Sequence, residues 1–155
     1  MDVAQTIVNT TSGVFWIIPI AAALALVFAW VFFKIMMKNS EGTDRMKEIS
    51  HYVQEGAMAY LGRQYRIVAL VFLVLVILLA LLAFFGIQNP FVPVAFLTGG
   101  FFSALCGYLG MRTATFASAR TAQGASESLN KGLKIAFRSG AVMGLVVVGF
   151  GLLDI

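Results

Sequence analysis

Four long apolar runs constrain this chain more than any other feature of its sequence. A helix that crosses a membrane needs about 20 predominantly apolar residues, and four segments reach or approach that length. Open strands cannot cross lipid with unpaired backbone groups, so we expect all four segments to be helices. The sequence therefore predicts an all-α membrane protein with four transmembrane helices. The predicted spans cover residues 14–37, 67–86, 91–109 and 136–153.

The composition agrees with a membrane protein and argues against a soluble one. Charged residues make up 12% of the 155 residues, whereas soluble domains carry about 25%. The net charge of +4 does not require a nucleic-acid partner, because basic residues of membrane proteins gather in cytoplasmic loops. A single cysteine, Cys106, excludes an intrachain disulfide, a CxxC redox pair and a zinc knuckle. We expect a membrane as partner, and no nucleic acid.

The basic residues predict how the chain crosses the membrane. All eleven of them lie in or beside two long loops, residues 38–66 and 110–135. The positive-inside rule therefore places both long loops in the cytoplasm and both termini outside it. The N-terminus lacks the basic region of a signal peptide, so we expect it to be retained. The basic residues are Lys34, Lys38, Arg45, Lys47, Arg63, Arg66, Arg112, Arg120, Lys131, Lys134 and Arg138.

Small residues recur at intervals of four along the third and fourth spans. Such strips let helix backbones approach closely in a membrane, so we expect these two helices to pack tightly on each other or on a partner. The second span is apolar on every side, which favours a lipid-facing position. The strips are Gly99, Ser103 and Gly107; Gly110, Ala114 and Ser118; and Ala136, Gly140 and Gly144.

The first long loop contains a candidate metal-binding pattern. At about 100° per residue, Asp44, Glu48, His51 and Glu55 fall on one stripe of a helix for which Thr43 is a plausible N-cap. Carboxylates and an imidazole can bind a metal ion. A solvated polar face of an amphipathic helix gives the same pattern, and it is the interpretation we favour. No nucleophile is placed beside the histidine, so it is not assigned as a general base.

The second long loop begins with "GMRTATFASARTAQGA", residues 110–125, which has the composition of a phosphate-binding loop. A P-loop requires G-x-x-x-x-G-K-[ST] after a strand, and no lysine follows the glycine here. Arg112 and Arg120 diverge by roughly 80° around a helix, so they would not clamp an anion together. We expect the third helix to continue out of the membrane and to end in a turn at Gly124 and Ser126.

Three segments of this chain resemble the membrane-bound, ion-pumping inorganic pyrophosphatases. "EGTDRMKEISHYVQEGAMAYLGRQYR" resembles the first cytoplasmic loop of that family. "FLTGGFFSALCGYLGMRTATFASARTAQGA" resembles the helix that leaves the membrane with a G-M-x-x-A-T-x-A-x-x-R-T pattern, and "LKIAFRSGAVMGLVVVGFGLLD" resembles the helix after it. The three segments occur in the family's order and spacing from residue 41 onward, which makes the resemblance more specific than any one segment would.

The resemblance implies a larger parent protein. It implies the family's fold, a bundle of roughly sixteen transmembrane helices in two rings that works as a homodimer. Members of the family hydrolyse pyrophosphate at a cytoplasmic Mg²⁺-dependent site and move H⁺ or Na⁺ outward, with a dependence on K⁺ that this sequence leaves open. The resemblance implies that these four helices belong to the outer ring and that the remaining helices of the pump are their partners. It also implies a prokaryotic cell membrane as the location.

The family's catalytic motifs do not occur in this sequence. Neither the G-G-G-x-x-x-K-x-A-D run nor the D-N-V-G-D-N-V-G-D carboxylates are present, and two-metal phosphoryl hydrolysis needs such clustered carboxylates. We therefore expect an N-terminal fragment that does not hydrolyse pyrophosphate alone, and we assign no catalytic, cofactor-binding or metal-binding residue. A small, non-catalytic four-helix membrane scaffold is the alternative.

Overall fold

The computed structural model describes residues 16–154 as four long helices, with no strand among those residues. Helix α1 is Ile17–Met37, α2 is Asp44–Phe84, α3 is Val92–Glu127 and α4 is Leu129–Leu153. Each helix is long and apolar enough to cross a membrane, so the predicted all-α membrane fold is confirmed. Residues 1–15, with the N-terminus that we expect to be retained and the start of the first predicted span, lie outside the described part.

The helix starts follow local sequence signals. The Thr43 hydroxyl caps α2 by accepting a hydrogen bond from the Met46 backbone N–H at 3.4 Å, as predicted. Pro93 lies in the first turn of α3. Backbone N–H groups in the first turn have no acceptor within the helix, so a proline there breaks no helical hydrogen bond. Helix α2 continues without interruption from the predicted loop into the second apolar span. The polar and apolar parts of this helix therefore form one continuous rod.

The predicted turn at Gly124 and Ser126 is wrong, because α3 runs through both residues to Glu127. The break falls at Ser128, which adopts an extended conformation and caps α4 by accepting a hydrogen bond from the Lys131 N–H at 3.2 Å. Gly124 is instead a packing residue: a Cβ there would lie 3.3 Å from the Gly132 backbone. The glycine allows α3 and α4 to approach closely at their corner.

The helices pack in the order α1, α4, α3, α2, so that α4 lies between α1 and α3. The most extensive interfaces join α4 to its two neighbours, and α1 and α3 contact each other much less. Two buried clusters hold this arrangement together. One contains Ala29, Val142 and Val146, and the other contains Met36, Ala117 and Ile135.

Helix α2 packs on α3 alone among the described helices. The Phe72 and Phe96 rings stack with their centroids 4.5 Å apart, and the Tyr65 hydroxyl donates to the Ala104 carbonyl oxygen at 2.5 Å. None of the most apolar stretch of α2 is buried in the described chain. This exposure agrees with the lipid-facing position that its sequence predicts.

The small-residue strips explain only part of the packing. The third and fourth helices do pack closely, as predicted, and Gly110 lies against Met143. However, a Cβ at Gly140 or Gly144 would meet no other atom within 4 Å. Gly107 faces Tyr65 of α2 instead of α4. One side of α4 therefore presents glycines that no described residue covers.

The alternating directions of the helices gather the basic residues at one end of the layer. Helices α1 and α3 finish at this end, and α2 and α4 begin there. Arg63 and Arg66 lie near the middle of α2 and Arg112 lies near the middle of α3, and the other eight basic residues lie closer to these helix ends or in the connections between them. We call this end of the layer the basic end. The opposite end contains the connection from α2 to α3 and the end of α4.

A candidate functional site at the basic end of the helices

Arg120 is the most deeply enclosed ion-pairing side chain at the basic end. Only 7% of its side chain is exposed, whereas its partner Glu41 is 32% exposed, with Nη2 and Oε1 2.8 Å apart. The same guanidinium donates to the Asn39 carbonyl oxygen at 3.2 Å and to the Phe116 carbonyl oxygen at 2.6 Å. The planar guanidinium thus binds one carboxylate and two backbone groups at once. The connection between α1 and α2 is thereby fixed to α3.

The connection itself is shaped to reach Arg120. The Asn39 side-chain amide donates to the Met36 carbonyl oxygen at 2.9 Å, which satisfies an acceptor at the end of α1. Gly42 has a φ of +88°, a conformation that glycine adopts without the steric cost met by other residues. A Cβ at this position would also lie 2.5 Å from Gln123 Oε1. Residues 38–43 therefore form a tight turn against the side of α3.

The acidic stripe at the start of α2 forms local ion pairs. Lys47 Nζ lies 2.9 Å from Asp44 Oδ1, and Arg45 Nη1 lies 2.7 Å from Glu48 Oε2. The hydrogen bond from Lys47 lowers the pKa of Asp44, and the same bond raises the pKa of Lys47. Between residues 16 and 154, no group of three or more His, Cys, Asp and Glu side chains is placed to hold a metal ion. All four residues of the stripe are exposed.

Arg112 and Arg120 point to different surroundings, which confirms the predicted divergence. Arg112 is exposed, donates to the Tyr108 hydroxyl at 3.3 Å and lies over the Phe116 ring. Arg120 is enclosed by α3 and the α1–α2 connection. The two cations do not form a phosphate clamp. The segment 110–125 instead uses its second arginine to hold a neighbouring part of the same chain.

Sequence reasoning missed the role of Arg120 and its pairing with Glu41. One signal was present: Arg120 follows Ala117 and precedes Gly124 at helical spacing. A cation on such a small-residue face is positioned to become enclosed when another element packs there. The identity of the partner depends on the fold, because the two residues belong to distant parts of the sequence.

The carboxylates at the basic end take part mainly in contacts within and between helices. Hydrolysis of a phosphoanhydride bond needs positioned carboxylates, metal ions and an activated water. At the basic end, the carboxylates of Asp44, Glu48 and Glu127 each lie within hydrogen-bond distance of a basic side chain on their own or an adjacent helix. Glu41 is bound by Arg120. The contacts of Arg120 join the connection between α1 and α2 to α3.

Comparison with known proteins identifies the family of the chain. The family model for inorganic H⁺ pyrophosphatase matches residues 23–155. A protein of Bacteroides thetaiotaomicron assigned as a K⁺-stimulated pyrophosphate-energized sodium pump is 64% identical over 145 residues. A K⁺-insensitive pyrophosphate-energized proton pump of Moorella thermoacetica is 45% identical over 141 residues, and one of Methanosarcina mazei is 43% identical over 135 residues.

The alignments cover most of this chain and a small part of each relative. They include 93%, 91% and 87% of the chain in the same order, but in each case only 20% of the relative. The chain thus spans about a fifth of the length of the curated relatives that it matches. The matched region includes Arg120, the α1–α2 connection and all of α2, α3 and α4. The chain is an integral membrane protein that belongs to the inorganic H⁺ pyrophosphatase family.

Proposed function

We propose that this chain forms the N-terminal, outer-ring part of a pump that couples pyrophosphate hydrolysis to H⁺ or Na⁺ transport across a membrane. The observation that carries the proposal is the 64% identity, over 93% of the chain, to a relative named as a pyrophosphate-energized pump. The other two relatives carry names of the same kind. The whole protein would be an inorganic pyrophosphatase, and its other helices and a second copy would be the partners of this part.

In this proposal the chain supplies membrane helices and a braced connection, while the catalytic groups belong to other parts of the pump. Mg²⁺ would be the cofactor of the whole enzyme, since it neutralises the charge that develops on a phosphoryl group. The described residues do not fit a Mg²⁺ site, because they contain no cluster of three carboxylate, imidazole or thiolate side chains. We therefore expect the isolated chain to be inactive toward pyrophosphate.

The orientation follows from the basic end of the layer. Cytoplasmic loops contain an excess of Lys and Arg, and the basic residues all lie at or beyond the same end of the four apolar spans. We propose that this end faces the cytoplasm of a prokaryotic cell and that both chain termini lie on the other side. The Arg120–Glu41 pair would then lie on the cytoplasmic side of the pump.

The names of the relatives differ in the transported ion and in the response to K⁺. One relative is named as a K⁺-stimulated sodium pump, and two are named as K⁺-insensitive proton pumps. No ionisable side chain lies in the middle of any of the four apolar spans, although intramembrane ionisable groups usually mark an ion pathway. We therefore propose that the choice between H⁺ and Na⁺, and the response to K⁺, depend on helices outside this chain.

A segment exchange tests the proposal. Residues 23–155 of this chain, the range that the family model matches, replace the corresponding segment of the Bacteroides thetaiotaomicron relative, and inverted membrane vesicles are assayed for Mg²⁺-dependent pyrophosphate hydrolysis and ion uptake. The chimaera is expected to retain both activities, whereas the relative without the segment and this chain alone are expected to lack them. An assembled but inactive chimaera would support the scaffold alternative, and hydrolysis by this chain alone would contradict the absence of catalytic groups.

A further inference from the structure

An apolar groove of about 660 Å³ opens along one side of the helix layer. Helices α1 and α3 form its walls, and α4 forms its floor between them. The floor consists of Val142, Val146 and Phe150, and the first two are almost fully buried. Trp30 of α1 and Phe116 of α3 lie on the opposing walls. The groove is therefore a preformed apolar surface that other parts of the described chain leave uncovered.

Two cations lie beside the aromatic side chains on the opposing walls of this groove. Arg112 lines the groove and lies over the ring of Phe116, with Cζ 5.6 Å from the ring centroid. Lys34 lies over the ring of Trp30 on the other wall, with Nζ 5.5 Å from the centroid. Both side chains are exposed, and neither has a carboxylate partner within 4.0 Å among residues 16–154. Each wall of the apolar groove thus has one cation over an aromatic ring, and two cations without a carboxylate partner complement an anion.

The length of the groove corresponds to one leaflet of a bilayer. Along α1 it extends from Leu26 to Met37, which at 1.5 Å per residue is about 16 Å. The hydrocarbon core of a bilayer is about 30 Å thick, so one leaflet contributes about 15 Å. The length of the groove along α1 therefore matches the depth of one leaflet, which is the length over which one acyl chain extends.

The other side of α4 has the surface expected for helix packing. At 100° per residue, Gly140 and Gly144 lie about 160° around α4 from Val142 and Val146. Neither glycine has another atom within 4 Å of the position of a Cβ, and small residues of this kind let a second helix approach. The two sides of the layer therefore differ: one presents glycines, and the other presents aromatic side chains with cations over their rings.

We propose that the groove binds one anionic glycerophospholipid from the leaflet at the basic end of the helices. Its phosphate and negatively charged headgroup contact Arg112 and Lys34, and one acyl chain lies along the floor formed by α4. A guanidinium donates several hydrogen bonds to phosphate oxygens, and an ammonium adds a point charge. A zwitterionic lipid offers less net negative charge to the same cations. The site consequently selects anionic over zwitterionic lipids, and this inference does not depend on the proposed pump function.

Native mass spectrometry of the purified chain in detergent tests this lipid site. Dioleoyl phosphatidylglycerol or dioleoyl phosphatidylcholine is added at matched concentrations, and the fraction of chain that retains one lipid is measured. We expect at least fivefold greater retention of phosphatidylglycerol. The double variant Lys34→Gln/Arg112→Gln is expected to remove this preference. The matched control Arg63→Gln/Lys134→Gln removes the same charge from exposed positions outside the groove and is expected to keep the preference.

A photoreactive phosphatidylglycerol with a diazirine in its acyl chain locates the bound lipid. Labelling is expected at groove residues of α1, α3 and α4 and is expected to fall at least fivefold in the Lys34→Gln/Arg112→Gln variant. Equal retention of both lipids, an equal loss in both double variants, or labelling confined to α2 would overturn the proposal. Where the coding frame extends beyond this sequence, the labelling is repeated on the whole product. Loss of groove labelling in the whole product would show that another helix of that product occupies the groove. Loss of groove labelling only when dimers form would show that a second copy occupies it.

Discussion

The guanidinium Nη2 of Arg120 lies 2.8 Å from Glu41 Oε1, so a residue of the third helix holds the connection between the first two. This contact matters because α4 lies between α1 and α3, which otherwise contact each other little. In the apolar part of the layer, packing on α4 determines the distance between α1 and α3. At the basic end, the ion pair and the hydrogen bond to the Asn39 carbonyl oxygen join them directly.

Replacing Arg120 is expected to destabilise the chain. In Arg120→Met, the Glu41 carboxylate loses its partner and the Asn39 carbonyl oxygen loses its donor. Hydrogen bonds to charged groups contribute about 1.5–3 kcal/mol each, and Glu41 is a third exposed, so we expect a loss of about 2 kcal/mol in the free energy of unfolding. Denaturation in mixed micelles, followed by circular dichroism, measures this loss of stability. The control Arg63→Met removes an exposed cation and is expected to change stability by less than about 0.5 kcal/mol.

A double-mutant cycle separates the ion pair from the other contacts of Arg120. Glu41→Gln keeps an acceptor for the guanidinium but removes the negative charge, so its own effect is expected to be smaller than that of Arg120→Met. Residues in direct contact are not additive, and we expect a coupling energy of about 1 kcal/mol. If the two effects add within about 0.3 kcal/mol, the pair contributes nothing and Arg120 acts through the backbone carbonyls alone.

Replacing Gly42 with alanine tests the shape of the same connection. Its φ of +88° costs a residue with a Cβ about 1–2 kcal/mol, and the new Cβ would also meet the flexible ends of Gln123 and Met46. We expect Gly42→Ala to lower the free energy of unfolding by about that amount, as measured in the same micelles. Adding Gln123→Ala removes one clash and is expected to restore only a small part, since the cost lies mainly in the backbone.

Gly56→Ala is the control for this substitution. Gly56 lies within α2, and a Cβ there would meet no atom within 4 Å. Alanine favours a helix over glycine by up to about 1 kcal/mol, so this change is expected to be neutral or stabilising. An equal loss of stability in Gly42→Ala and Gly56→Ala would show that the turn at Gly42 has no special requirement for glycine.

The sequence predicts the helices better than it predicts the contacts between them. Length and hydropathy are local properties, so the four helices and the Thr43 cap follow from the sequence alone. The end of α3 does not follow from the sequence alone. A glycine within a helix costs about 1 kcal/mol, and contacts with neighbouring residues decide whether that cost is offset. Close packing of Gly124 against Gly132 offsets that cost. The helix therefore continues to Ser128, where the backbone becomes extended.

The site at the basic end could be predicted only in part. Helical geometry alone shows that Arg112 and Arg120 diverge, because their angular separation is fixed by their spacing. The partners of the two arginines depend on which elements pack beside them, and the sequence alone does not predict that packing. The fold encloses Arg120 beneath residues 38–43 and leaves Arg112 beside an open groove. Two arginines in one motif thereby acquire different surroundings and different expected roles.

The corner between α3 and α4 is expected to be intolerant of added volume at Gly132. A Cβ there would lie 2.9 Å from Ala125 Cα and 3.0 Å from its backbone nitrogen, and a backbone cannot rotate away as a side chain can. Overpacking usually costs about 1–3 kcal/mol, so Gly132→Ala is expected to lower the free energy of unfolding by that amount. Gly144→Ala is the matched change on the same helix, where a Cβ meets no atom within 4 Å. It is expected to be neutral or mildly stabilising, and an equal loss at both positions would contradict the packing described for α4.

Acidification is expected to destabilise the corner between α3 and α4, because it protonates the Glu127 carboxylate. A hydrogen bond from Lys131, the largest cause, and one from Gln123 lower the pKa of Glu127 below its usual value of 4.5. Because the folded pKa is lowered, the contribution to stability is present at neutral pH and is lost as the pH falls through the folded pKa. NMR titration of the side-chain carboxyl carbon is expected to give a midpoint below 4.5. Lys131→Met is expected to move that midpoint upward, whereas Lys134→Met, which removes an exposed cation of the same helix, is expected to leave it in place. A midpoint that is unchanged in Lys131→Met would show that Lys131 does not hold the carboxylate in solution.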